Sequence, residues 1–213
     1  KKTHSQTLLP MLDEIKQMID LDLSTVDAVA VAAGPGSFTG LRIGAATAKG
    51  IAGALSKPII EIPTMDGMAY NLVGYEGIIC PIMDARRNQV YTGFYQFEKD
   101  TASRSGFAFR VVKEQFAADI QDVIEQLNTL GQQVMFLGDG VPVFEQTIRE
   151  KVKVSYGFTP ANCNRQHASA LAALAEEYYV KGKMVAADVH KPDYLRLSQA
   201  ERERLEKENA SNS

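Results

Sequence analysis

The stretch that most constrains the fold runs from Ala28 to Leu55 and combines an apolar run, a glycine-rich turn and a helix-like segment. Ala28–Ala33 is short and apolar, which suits a buried strand. A tight turn follows with the sequence Gly34-Pro35-Gly36-Ser37-Phe38, and Thr39–Leu55 then carries small residues along most of a predicted helix. A strand, a turn and a helix in this order predict an α/β unit, in which ligands usually bind at the carboxyl end of the strand.

The glycine turn allows two interpretations, a phosphate-binding loop or a structural turn. A helix N-terminus has free N–H groups that favour anions, and glycine lets a phosphate approach the backbone closely. However, the turn lacks a Gly-Lys-Ser/Thr sequence, and Gly34, Gly36 and Gly40 do not reproduce the G-x-G-x-x-G spacing. Pro35 also removes one N–H donor. The spacing therefore favours a structural turn.

The helix after the turn carries Gly40, Gly44 and Ala48 four residues apart, so we expect all three on one face. Glycine in a helix costs about 1 kcal/mol relative to alanine, and a close backbone approach would offset that cost. The approaching element is either the sheet of the same chain or a second protein. The sequence leaves both alternatives open.

An earlier helix is predicted over Thr7–Leu21, because apolar residues recur there at helical spacing. The predicted apolar face consists of Leu8, Leu12, Ile15 and Ile19, widened by Met11 and Met18. Thr7 is the expected N-cap, which would place Pro10 in the first turn, where a missing N–H has no helical partner.

The rest of the chain predicts a second set of strands and helices after a glycine-flanked boundary near Gly74. We expect a first lobe over 1–74, a second lobe over 75–190 and a charged tail over 191–213. Within the second lobe, the pattern predicts a helix over Glu114–Leu130 and a short strand over Val152–Val154.

Composition and charge narrow the function classes. The chain has 213 residues and a net charge of −3, which argues against a broad nucleic-acid-binding surface but leaves a local basic patch open. Two isolated cysteines predict reduced structural thiols and a cytoplasmic protein. The sequence contains no apolar run of about 18 residues, so no membrane span is expected.

No catalytic or metal-binding constellation stands out. His4, His167 and His190 are scattered, and no Ser/His/Asp or Cys/His set can be placed from spacing. We therefore predict no catalytic residue, no bound metal and no bound cofactor. The segment containing Arg86 and Arg87 favours a solvated hairpin turn, and contact with a partner or with RNA is the alternative.

The segment from Gly34 to Gly44, with the sequence GPGSFTGLRIG, resembles the hallmark of the TsaB (YeaZ) family. Shorter matches lie in order along the chain: His4-Ser5-Gln6, Met83-Asp84-Ala85-Arg86-Arg87, Gly138-Asp139-Gly140 and Tyr194-Leu195-Arg196. The resemblance implies an actin-like, Hsp70-like ATPase fold of the ribonuclease H-like type, α/β in class, with two related lobes. Family members normally begin with a strand hairpin, and we expect that hairpin to be missing from this chain.

The resemblance also implies a role in making threonylcarbamoyladenosine in tRNAs that read ANN codons. The related catalytic subunit, TsaD, carries a metal through a His-x-x-x-His pair, and those positions hold Thr64 and Met68 here. The resemblance therefore implies a paralogue that does not perform the chemistry itself. The alternative is an enzyme that acts alone, either an actin-like ATPase or a metallopeptidase-like protein.

The resemblance further implies that the first two helices of the first lobe bind TsaD, or a second copy of the chain when TsaD is absent. The residues expected at this interface are Leu8, Met11, Leu12, Ile15, Phe38, Gly40, Leu41, Gly44 and Ala48. TsaE is the other expected partner, ATP is expected to be used by the complex, and tRNA is expected to bind only through the complex.

Overall fold

The structure of the chain is a computed structural model that describes residues 4–195, and the chain divides into two compact units. The first unit contains the residues up to Glu61 and those from Lys181 onward, and the second contains Ile62–Val180. This division differs from the lobes expected at 1–74 and 75–190. Its cause is that the chain after Lys181 returns to the first unit, where Val185 and Ile59 exchange backbone hydrogen bonds of 2.9 Å. Most of the tail predicted over 191–213 lies outside the described residues.

The first unit is built from two helices and a small sheet. Its elements are, in order, α1 (His4–Met18), a short 3₁₀ helix (Leu23–Thr25), β1 (Val29–Gly34), α2 (Phe38–Leu55) and β2 (Ile59–Pro63). β1 pairs with β2, which carries the chain into the second unit. The prediction of a strand, a turn and a helix over Ala28–Leu55 is confirmed.

The inner side of α2 packs on the sheet through small residues. Ala48 and Ala52 are buried against Ile59, together with Val29 and Val185. Alanine side chains at this contact allow the helix to lie close to the strands without the entropy cost of glycine.

The first helix begins earlier than predicted. α1 starts at His4 instead of after Thr7, so the expected N-cap at Thr7 is wrong. Pro10 lies inside the helix, where it removes one backbone donor. The helix nevertheless continues through the proline and spans 15 residues in all.

The second unit is a five-stranded mixed sheet with helices. Its elements are, in order, α3 (Thr64–Ala69), a 3₁₀ helix (Tyr70–Leu72), β3 (Ile78–Asp84), β4 (Gln89–Lys99), β5 (Phe107–Asp119), α4 (Ile120–Leu130), β6 (Val134–Leu137), α5 (Val141–Lys151), β7 (Tyr156–Phe158), a 3₁₀ helix (Ala161–Cys163) and α6 (Ala168–Val180). The strand order is β5-β4-β3-β6-β7. β4 is antiparallel to both of its neighbours, whereas β3, β6 and β7 are parallel.

Strand register brings several strand ends to one edge of this sheet. Asp84 at the end of β3 pairs with Val90, and Gln89 at the start of β4 pairs with Asp119 at the end of β5. The carboxyl ends of β3 and β5 and the β3–β4 turn therefore share one edge, which we call the carboxyl edge. The β4–β5 turn lies at the opposite end of the sheet.

Two predicted elements of the second unit differ from the structure in their bounds. The helix expected over Glu114–Leu130 begins only at Ile120, because β5 continues to Asp119 in register with β4. Tertiary pairing thus overrides local helix propensity, and the Asp119 carboxylate accepts a hydrogen bond of 2.9 Å from the Gln121 amide to cap the helix. The strand expected over Val152–Val154 instead forms at Tyr156–Phe158, where it pairs with β6.

A buried carboxyl group joins three elements of the second unit. Asp66 of α3 is only 4% exposed, and its carboxylate accepts hydrogen bonds from the Tyr95 hydroxyl at 2.8 Å and the Tyr178 hydroxyl at 3.2 Å. Burial raises the pKa of Asp66, and the two hydrogen bonds oppose that shift without cancelling it. The folded unit therefore binds the Asp66 proton more tightly than the unfolded chain does.

This raised pKa predicts a pH-dependent loss of stability. The contribution of Asp66 is fully present below the ordinary aspartate pKa of about 3.9 and is lost as the pH rises through the raised pKa. We expect Asp66→Asn to remove this decline. The difference in the free energy of unfolding, variant minus wild type, should therefore increase as the pH rises. Urea unfolding of both proteins at a series of pH values measures the difference.

Tyr178→Phe supplies a variant with the opposite direction. Losing one of the hydrogen bonds that lower the pKa of Asp66 should move the decline to higher pH. If the free energy of unfolding varies with pH in the same way for the wild type, Asp66→Asn and Tyr178→Phe, the raised pKa of Asp66 is not the cause of the decline.

Candidate partner interface

Apolar side chains on α1 are exposed. The exposed fractions are 56% for Met11, 40% for Leu12 and 51% for Ile15. Leu9, Met18 and Ile19 are also exposed, and Leu8 is half-buried. A cluster of large apolar side chains in water is characteristic of a protein–protein contact surface, whereas single exposed apolar residues are ordinary.

The first half of α2, which follows the glycine turn, carries two open glycine positions. α1 packs against α2 within the first unit. A Cβ built at Gly44 meets nothing within 4 Å, and one built at Gly40 meets only the Ser37 side chain. The sheet of the same chain therefore does not require glycine at Gly44.

Ala48 lies elsewhere than its spacing predicts. It is only 6% exposed and faces Ile59 in the core, on the same side of α2 as Ala45 and Ala52. Each step of four residues turns a helix by about 40° beyond a full turn, so Gly44 stays open while Ala48 has rotated inward. We therefore remove Ala48 from the candidate surface.

Leu41 and Phe38 support the beginning of α2. The half-buried Leu41 side chain lies 3.4 Å from the Cβ position of Gly36, beneath the turn. The Phe38 ring lies 4.9 Å from the Tyr194 ring and 4.0 Å from the Arg42 guanidinium carbon. Phe38 is therefore held between an aromatic and a cationic neighbour. The contact with Arg42 follows from the spacing of four residues on α2, whereas the sequence gave no signal for Tyr194, which is distant in sequence.

The glycine turn is covered by the chain itself. Gly34 has a φ of +129°, and a Cβ at this residue would lie 2.1 Å from the Asp193 carbonyl oxygen. The Asp193 amide donates a hydrogen bond of 2.7 Å to the Ala33 carbonyl oxygen. Because the Asp193 backbone occupies the space beside Gly34, the geometry supports a structural turn.

The positions compared with a metal-binding pair are buried. Thr64 and Met68 of α3 are 6% and 1% exposed. Within residues 4–195, no group of three or more His, Cys, Asp or Glu side chains is arranged to hold a metal ion. Cys80 is fully buried, and burial raises the pKa of its thiol to about 12, so it is neutral and unreactive at physiological pH.

Arg86 and Arg87 lie in the β3–β4 turn at the carboxyl edge, and both are exposed. They belong to the second unit. None of the described helices is both long enough and apolar enough to cross a lipid bilayer.

The sequence matches a family of tRNA-modification proteins. The profile of the family described as "TsaD: tRNA N6-adenosine threonylcarbamoyltransferase" matches residues 1–204. The "tRNA threonylcarbamoyladenosine biosynthesis protein TsaB" of Bacillus subtilis is 35% identical over 208 residues, which is 97% of this chain and 85% of the relative. The Haemophilus influenzae protein of the same name is 30% identical over 200 residues, 92% of this chain and 81% of the relative.

Solved structures agree with the sequence relatives. The "uncharacterized protein with similarity to peptidase YEAZ from Pseudomonas aeruginosa" is 26% identical and superposes with a TM-score of 0.71, over 92% of this chain and 85% of that chain. The fold class is thus the predicted α/β, actin-like and ribonuclease H-like type, related to the threonylcarbamoyl transferases. The chain belongs to the TsaB (YeaZ) family of tRNA threonylcarbamoyladenosine biosynthesis proteins, as the resemblance implied.

Two glycine substitutions test the geometry of the first unit. Gly34→Ala should destabilise the protein by about 2 kcal/mol or more, because the new methyl group meets backbone and the positive φ is unfavourable for alanine. Gly44→Ala should stabilise it by up to about 1 kcal/mol, because the site is open and alanine favours helix. Urea unfolding measures both changes, and equal effects of the two substitutions would contradict the placement of Asp193 over the turn.

Proposed function

We propose that the chain is a non-catalytic accessory subunit that binds TsaD and supports the transfer of threonylcarbamoyl to N6 of adenosine 37 in tRNAs that read ANN codons. The observation that carries the proposal is the exposed apolar side of α1, represented by Met11 and Ile15. Membership of the TsaB family supports a role in tRNA threonylcarbamoyladenosine biosynthesis. We assign this function to the cytoplasm, where these tRNAs are modified.

The docking surface consists of the exposed side of α1 and the open first half of α2. Leu8, Met11, Leu12 and Ile15 supply apolar area whose removal from water favours association at about 25 cal/mol per Å². Open glycines on α2 let a partner helix approach the backbone closely, since interhelical distance depends on the side chains at the contact. The same surface would serve a homodimer when TsaD is absent.

Three features support a role without chemistry. Asp193 covers the glycine turn, the positions of the TsaD metal pair hold Thr64 and Met68, and the Cys80 thiol is buried. We therefore assign the use of ATP to the complex, with TsaE as the further partner, and no cofactor to this subunit.

Charge placed on α1 tests the docking surface. Met11→Glu and Ile15→Glu should each weaken TsaD binding at least about tenfold, because a carboxylate would lose water at the interface without a partner. The fold should tolerate both changes, since the parent side chains are more than half exposed. Titration of purified TsaD by calorimetry measures the affinity, and thermal unfolding checks the fold.

Val143→Glu provides the matched control. Val143 lies on α5 of the second unit and is 57% exposed, close to the 56% of Met11, so the change in charge and apolar area is similar. We expect wild-type affinity from this variant. If the α1 variants also bind TsaD with wild-type affinity, the docking assignment fails.

The absence of an intrinsic activity has its own measurement. The purified chain alone should hydrolyse no ATP above a buffer control and should contain no stoichiometric metal by elemental analysis. Turnover or a bound metal in the chain alone would favour the alternative of an ATPase or a metallopeptidase-like enzyme.

A further inference from the structure

The β3–β4 turn presents two arginines in an unusual backbone conformation. Arg86, Arg87 and Asn88 have φ angles of 65°, 55° and 59°. Three consecutive residues other than glycine rarely adopt this left-handed backbone conformation. The Asp84 carboxylate holds the turn by accepting hydrogen bonds from the Arg86 amide at 2.7 Å and the Arg86 guanidinium at 3.0 Å. Strained backbone of this kind persists where surrounding contacts fix it, and such positions are common at binding sites.

The two arginines differ in their partners. Arg86 pairs with Asp84, although the Arg86 side chain remains 87% exposed. Arg87 is exposed and forms no hydrogen bond or ion pair with any residue in the described part of the chain. The turn thus holds one guanidinium in place and leaves a second one available for an external anion.

A second basic segment is fixed at the same edge. The Gln166 side-chain amide donates to the Met83 sulfur at 3.4 Å, next to the turn. The Asn71 side-chain amide donates to the Arg165 carbonyl oxygen at 2.6 Å. These contacts anchor the backbone around Arg165, whose side chain is exposed and has no partner within residues 4–195.

We propose that Arg86, Arg87 and Arg165 form a phosphate-binding edge that contacts the backbone of the tRNA. The inference rests on the proposed function, which identifies tRNA as the nucleic acid that this chain would meet. Guanidinium groups bind phosphate in a planar, bidentate geometry, and a nucleic-acid strand offers a repeating row of phosphates to such groups.

The local charge supports this ligand although the chain as a whole is acidic. At this edge the exposed Arg87 and Arg165 side chains have no carboxylate partner among residues 4–195, Arg86 is paired with Asp84, and the half-buried Asp119 carboxylate at the end of β5 caps α4. The patch is small, so it positions a tRNA held mainly by the rest of the complex and does not bind RNA strongly alone.

The double variant Arg87→Ala/Arg165→Ala tests the proposal and leaves the Arg86–Asp84 pair intact. In the complex with TsaD and TsaE, the Kd for an unmodified tRNA transcript that reads an ANN codon should rise about three- to tenfold at low salt. Because each lost phosphate contact removes about 0.7 to 0.9 from the slope of log K against log salt, the slope should become shallower by about 1 to 2. Filter binding at several salt concentrations measures both quantities.

Arg104→Ala/Arg110→Ala is the charge-matched control. Both residues are exposed arginines paired with glutamates; Arg104 lies in the β4–β5 turn at the opposite end of the sheet, and Arg110 lies on β5. This control should leave the Kd and the salt slope at wild-type values. An Arg87→Ala/Arg165→Ala complex with wild-type Kd and slope, or equal losses in both double variants, would overturn the proposal.

TsaD affinity separates this inference from the proposed function. The Arg87→Ala/Arg165→Ala chain should bind TsaD as the wild type does. Weakened TsaD binding with unchanged tRNA affinity would make the arginines a protein contact and overturn the RNA assignment, whereas the docking role of α1 is judged only by the Met11 and Ile15 variants.

Discussion

The hydrogen bond of 2.7 Å from the Asp193 amide to the Ala33 carbonyl oxygen is the contact on which the first unit depends. It seats the returning chain against Gly34, where only a glycine leaves room for the Asp193 backbone. Tyr194 then reaches the Phe38 ring and supports the start of α2. The same contact therefore holds the returning chain beside the glycine turn and beside the start of α2, the helix that we propose as part of the docking surface.

The sequence predicted this region in part. The spacing of Leu8, Leu12 and Ile15 identified α1 and its apolar face, and the glycine-flanked pattern identified β1 and α2, because local periodicity and turn chemistry determine such elements. The contact of Asp193 with Gly34 could not be predicted, since it joins residues far apart in sequence. The inward rotation of Ala48 was missed because spacing of four residues drifts around a helix, and only packing on Ile59 shows which side is buried.

In the second unit, pairing with neighbouring strands determines secondary structure that local helix propensity does not predict. Glu114–Asp119 is strand because β4 is long enough to pair with it, although its sequence favours helix. The RNA-facing role proposed for Arg87 and Arg165 likewise depends on tertiary contacts, because the sequence separates the two residues and Gln166 brings their segments together at Met83. The division of labour we propose places partner docking in the first unit and tRNA positioning in the second.

Hydrogen exchange measured by mass spectrometry, with and without TsaD, tests the docking surface most directly. Binding through α1 and the first half of α2 predicts slower amide exchange in peptides that cover Met11–Ile15 and Gly40–Gly44, with no change in α5. Unchanged exchange in those peptides, with slowing elsewhere in a TsaD-bound chain, would contradict the docking role of this surface.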